Sequence, residues 1–165
     1  MKELLITGAW RCGEQQVQAL EQMGYAVTFW PDERQAVNMD TRRFEAVICG
    51  GLFLTTPIER FPALKCIQVT SAGLDRVPLD YCRAHGITVY NAGGVYSAPM
   101  AEFVLGGILQ LYKESKFFAE NQAAHRWEKH RGLRELSGKT ACIIGTGSVG
   151  SAIARRLRAF DVQTV

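Results

Sequence analysis

Six residues near the end of the chain have the types and spacing for phosphate chemistry: Gly145-Thr146-Gly147-Ser148-Val149-Gly150. A short apolar run of strand type, Thr140 to Ile144, precedes them. A helical pattern follows, with Val149, Ile153, Leu157 and Phe160 on one face. Strand, G-x-G-x-x-G turn and helix together form the phosphate-gripping part of a dinucleotide-binding unit. In that unit Gly145 permits the tight turn, Gly147 lets the backbone approach a pyrophosphate, and Gly150 lets the helix pack closely on its strand. Free amides at the helix start, near Ser148 and Val149, face the phosphate charge. The acidic residue that grips a ribose is expected about 20 residues further on, at the end of the next strand. That count falls at or just beyond Val165, and Asp161 precedes the expected strand 162–165. The sequence therefore reads as cut inside a nucleotide-binding domain.

Other groups capable of chemistry are fewer. Three glycine-rich or polar segments leave apolar strand-like runs: Gly50-Gly51, Ser71-Ala72-Gly73 and Asn91-Ala92-Gly93-Gly94. Ligands of open parallel sheets collect beyond the carboxyl ends of strands. For Gly50-Gly51 a simple strand-to-loop turn is explanation enough; for the other two a structural and a functional reading stand side by side. His125 and His130 share no helix face, and no Cys/His set accompanies them, so a solvated connector is expected and no metal site. His85 precedes a helix-ending glycine, where it suits the last carbonyls.

Composition places the chain among globular proteins: 47% hydrophobic and 21% charged residues, with a net charge of +3. That charge is too small to imply nucleic acid, and Arg155, Arg156 and Arg158 read as a solvated helix face. Five cysteines without a C-x-x-C pair point to a reducing compartment, the cytoplasm by default. Cys49, Cys66 and Cys142 lie in apolar runs, where cysteine acts as a small buried hydrophobe. The apolar start, Met1 to Ile6, is too short for a signal peptide, and no uncharged run reaches the ~20 residues of a membrane helix.

The elements that must position these residues alternate. Strands are expected at 4–6, 25–29, 46–49, 66–70 and 87–90. Helices are expected at 14–23, capped by Gly24, and at 78–85, with a short one opened by the capping-box order Thr56-Pro57-Ile58-Glu59. This alternation predicts an α/β fold, a flavodoxin-like parallel sheet with helices on both faces. A long helix from Ala98 to Phe118 comes next. It is apolar around its whole circumference over 103–109, hence buried on more than one side. Gly106 and Gly107 within it each cost roughly 1 kcal/mol relative to alanine. Close approach of another helix, or core packing, would offset that.

Taken together, Val69-Thr70-Ser71-Ala72-Gly73-Leu74-Asp75, Val89 to Gly94, Ala101-Glu102-Phe103-Val104-Leu105-Gly106 and Leu136-Ser137-Gly138-Lys139 before the glycine turn resemble the D-isomer-specific 2-hydroxyacid dehydrogenases. The resemblance covers most of the chain. It implies a flavodoxin-like substrate domain, 1–96, followed by the start of a Rossmann NAD(P)-binding domain, 97–165, with the active site in the cleft between domains and a homodimer built around the nucleotide domain. It implies that amides around Ser71, Ala72 and Gly73 hold the substrate carboxylate. Met100 lies near the nicotinamide, and Ser148 and Val149 contact the pyrophosphate of NAD or NADP, alongside Gly145, Gly147 and Gly150. Glu102 is structural. Gly93 stands where proline is common, which makes that loop more flexible.

The resemblance also implies that the catalytic arginine, glutamate and histidine come after residue 165, so no catalytic residue is assigned. The expected function is the N-terminal part of an NAD(P)-dependent oxidoreductase for small 2-hydroxy acids, inactive as 1–165. The alternative is a dinucleotide-sensing or oligomerising binding protein. The apolar face of the last helix is expected to need a substrate domain or partner chain to cover it, which favours an oligomer.

Overall fold

The computed structural model describes residues 1–165. It comprises two compact units, Met1–Gly93 and Gly94–Val165. In the first, β1 (Lys2–Thr7), β2 (Tyr25–Trp30), β3 (Ala46–Cys49), β4 (Cys66–Val69) and β5 (Thr88–Tyr90) form one parallel sheet in the order β2-β1-β3-β4-β5. That is the doubly wound, flavodoxin-like order expected from the alternation. Side-chain alternation along each strand sorts the core into two layers. Leu5, Val47, Cys49, Ile67 and Val69 join Phe44, Phe61 and Leu52 on one face. Leu4, Ile6 and Ala46 lie on the other, beneath Leu20 of α1 (Glu14–Gln22). The expected helix at 78–85 is α2 (Leu79–Ala84).

Thr56 departs from its expected capping role. Its hydroxyl is buried and accepts the Val37 amide at 3.0 Å, so it cannot cap the next turn. The next element is only a 3-10 turn, Ile58–Arg60, with no side-chain cap. Satisfying a buried amide across the fold outweighed a local cap, because an unpaired buried donor costs about 1–3 kcal/mol.

In the second unit the long helix breaks. It forms α3 (Ser97–Tyr112) and α4 (Ser115–Ala123), separated at Glu114, whose φ of 47° is left-handed. Such a conformation is costly for a residue with a side chain. The connector after α4 folds back to hold it: Glu114 pairs with His130 at 2.8 Å, Lys113 Nζ donates to the Arg134 carbonyl, and the Arg134 amide donates to the Tyr112 carbonyl. His130 also packs on the Phe117 ring, an anchor point within a connector whose other residues, 124–129 and 131–135, are exposed as its composition implied. Two short strands complete the unit, β6 (Thr140–Ala141) and β7 (Gln163–Thr164), parallel and joined by α5 (Ser148–Arg158).

The face of α5 does not wait for a partner chain. Leu157 and Ile153 pack with Leu105, Ile108, Leu109 and Tyr112 of α3, together with Leu136 and Val162. α3 is correspondingly covered on one side only: Ala101 and Leu105 are buried, whereas Phe103 is 83% and Leu111 79% exposed. The expectation of burial all round fails for the single chain. A β-carbon added at Gly106 or Gly107 would meet nothing within 4 Å, so neither glycine serves close packing within this chain. No helix is long and apolar enough to cross a membrane.

Candidate functional site

The glycine turn has the geometry its spacing implied. Gly145 has φ 107°, a left-handed conformation that only glycine adopts without strain. A β-carbon on Gly150 would stand 2.0 Å from the Gly145 carbonyl oxygen and 3.3 Å from Ile143, so the helix closes directly onto the turn. Gly147, the residue preceding α5, has extended backbone, and a β-carbon there would meet nothing within 4 Å. Its missing side chain leaves space outside the protein, where a ligand backbone would approach. The amides of Ser148 and Val149 open the helix and lack intrahelical acceptors.

A cavity of about 470 Å³ borders the turn on its other side. It is lined by Gly145, Thr146, Gly150, Ser151, Arg155 and Arg158, among others, and no acidic side chain lines it. The donor set fits the pyrophosphate of a dinucleotide: unpaired amides at a helix start and open space at Gly147. The third arginine behaves differently from its neighbours. Arg156 donates to the Ala152 carbonyl and to the Glu102 carboxylate at 3.1 Å, so it fastens α5 to α3 and is not part of a solvated face. Glu102 thus has the structural role expected of it. Met100 sits in the first turns of α3, half exposed.

In the first unit, the Ser71-Ala72-Gly73 turn leaves β4 at the carboxyl edge of the sheet. Its carbonyl side is fully engaged: the Ala92 amide donates to Ser71, Asn91 Nδ2 donates to Ala72 at 2.8 Å, and the Ser71 hydroxyl donates to Gly73. The amides of Ala72 and Gly73 donate to no protein group and are exposed. Asn91 therefore pins the turn with its N–H groups facing outward, a nest suited to a carboxylate. The Asn91 loop closes on itself through the Gly93 amide and the Asn91 side chain at 3.1 Å.

The third carboxyl-edge turn is more than a break. Glu33 follows β2, and its carboxylate accepts the Gly50 amide at 2.7 Å, the Gly51 amide at 2.5 Å and the Thr7 hydroxyl. Sequence reasoning missed this residue. Seventeen positions separate it from Gly50 and no local pattern links the two, although an acid just after a strand end was a visible signal.

Within the first unit, the histidine is engaged elsewhere. His85 Nδ1 bonds the Tyr81 carbonyl at the last turn of α2, as expected, and its ring stacks on Tyr81. That helix end leads into the start of β5, the opposite edge of the sheet from Ser71–Gly73. No cluster of three metal-ligating side chains exists.

Cysteine burial corrects the sequence reading. Cys49 and Cys82 are buried and Cys66 is intermediate, but Cys142 is exposed. Alternation explains it: Ala141 and Ile143 pack inward, while Cys142 and Ile144 (99% exposed) point to the uncovered side of the two-stranded sheet. Burial, then the Glu33 charge, push the Cys49 thiol up to about 12, so it stays protonated. With a thiol reagent at mildly alkaline pH, Cys142 is expected to react rapidly and Cys49 only after denaturation. Equal labelling of both in the folded protein, read by peptide mass mapping, would contradict the assigned burial.

Comparison with known proteins shows the family. The sequence profile described as "D-isomer specific 2-hydroxyacid dehydrogenase, catalytic domain" matches residues 5–155. The chain is 31% identical over 144 residues to a glyoxylate reductase of Thermofilum pendens, covering 81% of this chain and 42% of that protein. It is 36% identical over 111 residues to a glycerate dehydrogenase of Hyphomicrobium methylovorum, covering 64% and 34%. An NADPH-dependent glyoxylate/hydroxypyruvate reductase of Sinorhizobium meliloti, solved with citrate, superposes with a TM-score of 0.76 at 26% identity, covering 99% of this chain and 53% of that one. The chain thus spans about half the length, or less, of the proteins it matches.

Proposed function

The chain belongs to the D-isomer specific 2-hydroxyacid dehydrogenases, and from that premise we propose that it supplies the carboxylate-binding and pyrophosphate-binding parts of an NAD(P)-dependent reductase of small 2-keto acids. One observation carries the reading. Two sets of unpaired backbone amides, at Ala72–Gly73 and at Ser148–Val149, are each fixed in place by their own unit. The first holds the carboxylate of a 2-hydroxy or 2-keto acid, and the second the pyrophosphate of NAD or NADP. Gly147 leaves room for the pyrophosphate, and Met100 borders the nicotinamide. When bound, the dinucleotide supplies or accepts the hydride at C2 of the acid; the relatives in Thermofilum pendens and Sinorhizobium meliloti are glyoxylate and glyoxylate/hydroxypyruvate reductases.

The proton that accompanies the hydride has no donor at either turn. His85 bonds the Tyr81 carbonyl and His130 bonds Glu114. Residues 1–165 are therefore expected to bind dinucleotide and small carboxylates without turning them over. Reduced-nicotinamide fluorescence and absorbance with glyoxylate check both parts. Turnover by 1–165 would refute the missing acid/base group, and absence of any dinucleotide binding would refute the cofactor reading.

A homodimer completes the proposal. Phe103, Gly107 and Leu111 recur every four residues on the uncovered side of α3, with a glycine between two exposed large side chains. Such a face lets a second helix come close while burying apolar surface. The same face also supports the alternative of an oligomerising binding protein, which the dinucleotide measurement separates from the dehydrogenase reading. The proposed site of action is the cytoplasm, a reducing compartment that suits five free cysteines.

A further inference from the structure

The Glu33 carboxylate gathers hydrogen bonds from three residues distant in sequence, and nothing in the proposed chemistry uses it. It collects three donors from two places: the end of β1, through Thr7, and the turn after β3, through Gly50 and Gly51. Its own carbonyl accepts the Thr55 hydroxyl at 2.7 Å, which fixes the loop beyond that turn to the same point. Successive amides converging on one carboxylate form an anion nest, and here the anion belongs to the protein. Hydrogen bonds to an ionised acceptor are about twice as strong as neutral ones.

The nest abuts the substrate turn. A β-carbon on Gly50 would stand 3.2 Å from both Glu33 Oε2 and Thr70 Oγ1, and 3.0 Å from Ala9. Thr70 immediately precedes Ser71-Ala72-Gly73, and its amide donates to the Cys49 carbonyl, just before Gly50. The Gly50–Gly51 turn therefore packs against Thr70, the residue from which the Ser71 turn departs, and Glu33 holds that turn in place.

We propose that Glu33 is a positioning residue, a built-in anion that occupies the Gly50–Gly51 amides and so sets the Ala72–Gly73 amides for the substrate carboxylate. This rests on the carboxylate-binding reading of Ser71–Gly73. Glu33 touches no substrate and acts through backbone alone, which predicts rescue by a small free carboxylate when its own is removed.

The test is an ¹⁵N-amide NMR titration of the chain with oxamate as the substrate mimic, in wild type, Glu33→Ala and Glu33→Gln. Oxamate is expected to shift Ala72 and Gly73 in wild type and to bind about tenfold more weakly in Glu33→Ala. Acetate should then shift the Gly50 and Gly51 amides of Glu33→Ala, and not of wild type, and recover most of the lost oxamate affinity. A general loosening of the fold would not be recovered by acetate. Folded Glu33→Ala binding oxamate like wild type overturns the proposal, as does acetate leaving Gly50 and Gly51 unmoved. If Glu33→Ala does not fold, Glu33→Gln carries the test. It places an amide donor against an N–H, so unchanged oxamate affinity in it overturns the positioning role. Failure of wild type to bind oxamate at Ala72–Gly73 overturns the carboxylate reading and the positioning role with it. Acetate seating at Gly50–Gly51 still decides whether Glu33 fills an anion nest.

Discussion

Replacing Gly150 by alanine is expected to destabilise the second unit by about 3 kcal/mol, the upper end of what overpacking normally costs. The added methyl would lie 2.0 Å from the Gly145 carbonyl oxygen and 3.1 Å from its carbon. These are backbone atoms of a residue already held at φ 107°, so no side chain can rotate out of the way. Against a total stability of about 5–15 kcal/mol the loss is large. Gly147→Ala is the control from the same motif. Its added methyl meets nothing within 4 Å and its φ of −67° suits any residue, so stability should change by about 0.5 kcal/mol or less. That methyl projects where a pyrophosphate would approach, and dinucleotide affinity should fall on the order of tenfold. Thermal unfolding and reduced-nicotinamide fluorescence of the two variants separate the roles. Equal loss of stability in both, or undiminished binding by Gly147→Ala, would break the assignment of one glycine to packing and the other to ligand approach.

Phe44→Ala and Phe103→Ala form the second contrast, the same chemical change at opposite burial. Phe44 is fully buried among Val37, Val47, Phe61 and their neighbours. Truncation removes its transfer energy and leaves a cavity that a β-sheet core cannot collapse to fill. A loss of about 3–5 kcal/mol is expected, read by urea unfolding. Phe103 is 83% exposed on α3. Its truncation should leave the core intact and shift the protein toward monomer in light scattering. A Phe103→Ala variant that associates as wild type does would remove this face of α3 from the proposed dimer. Unfolding measured at low protein concentration keeps the two effects apart, since self-association raises apparent stability by mass action.

Much of this molecule was legible in local pattern. The strands at 4–6, 46–49 and 66–70, the helix capped by Gly24 and the parallel α/β class of the sheet all follow from alternation and turn residues, because period and breakers are properties of adjacent residues. The glycine turn was legible for the same reason: Gly145 and Gly150 act on each other across five positions. His85 at a helix end was equally local.

The features hidden in the sequence were settled by contacts between distant residues. Thr56 reads as a cap, yet serves the Val37 amide, since the core could leave no donor unpaired. The helix expected to run to Phe118 stops at Tyr112, because the returning connector supplies His130 and Arg134 to a break that no local propensity marks. Cys142 and Ile144 have the composition of a core strand, but only one side of β6 is covered. The face of α5 found its partner in α3 of the same unit, through Leu105 and Leu157. Glu33 is the clearest instance. One carboxylate draws together residues 7, 50 and 51, and the attraction between a charge and converging amides leaves no periodic trace along the chain. Sequence determined which elements form and which turns break them; only the fold decided which polar groups meet, because that depends on distance in space and not along the chain.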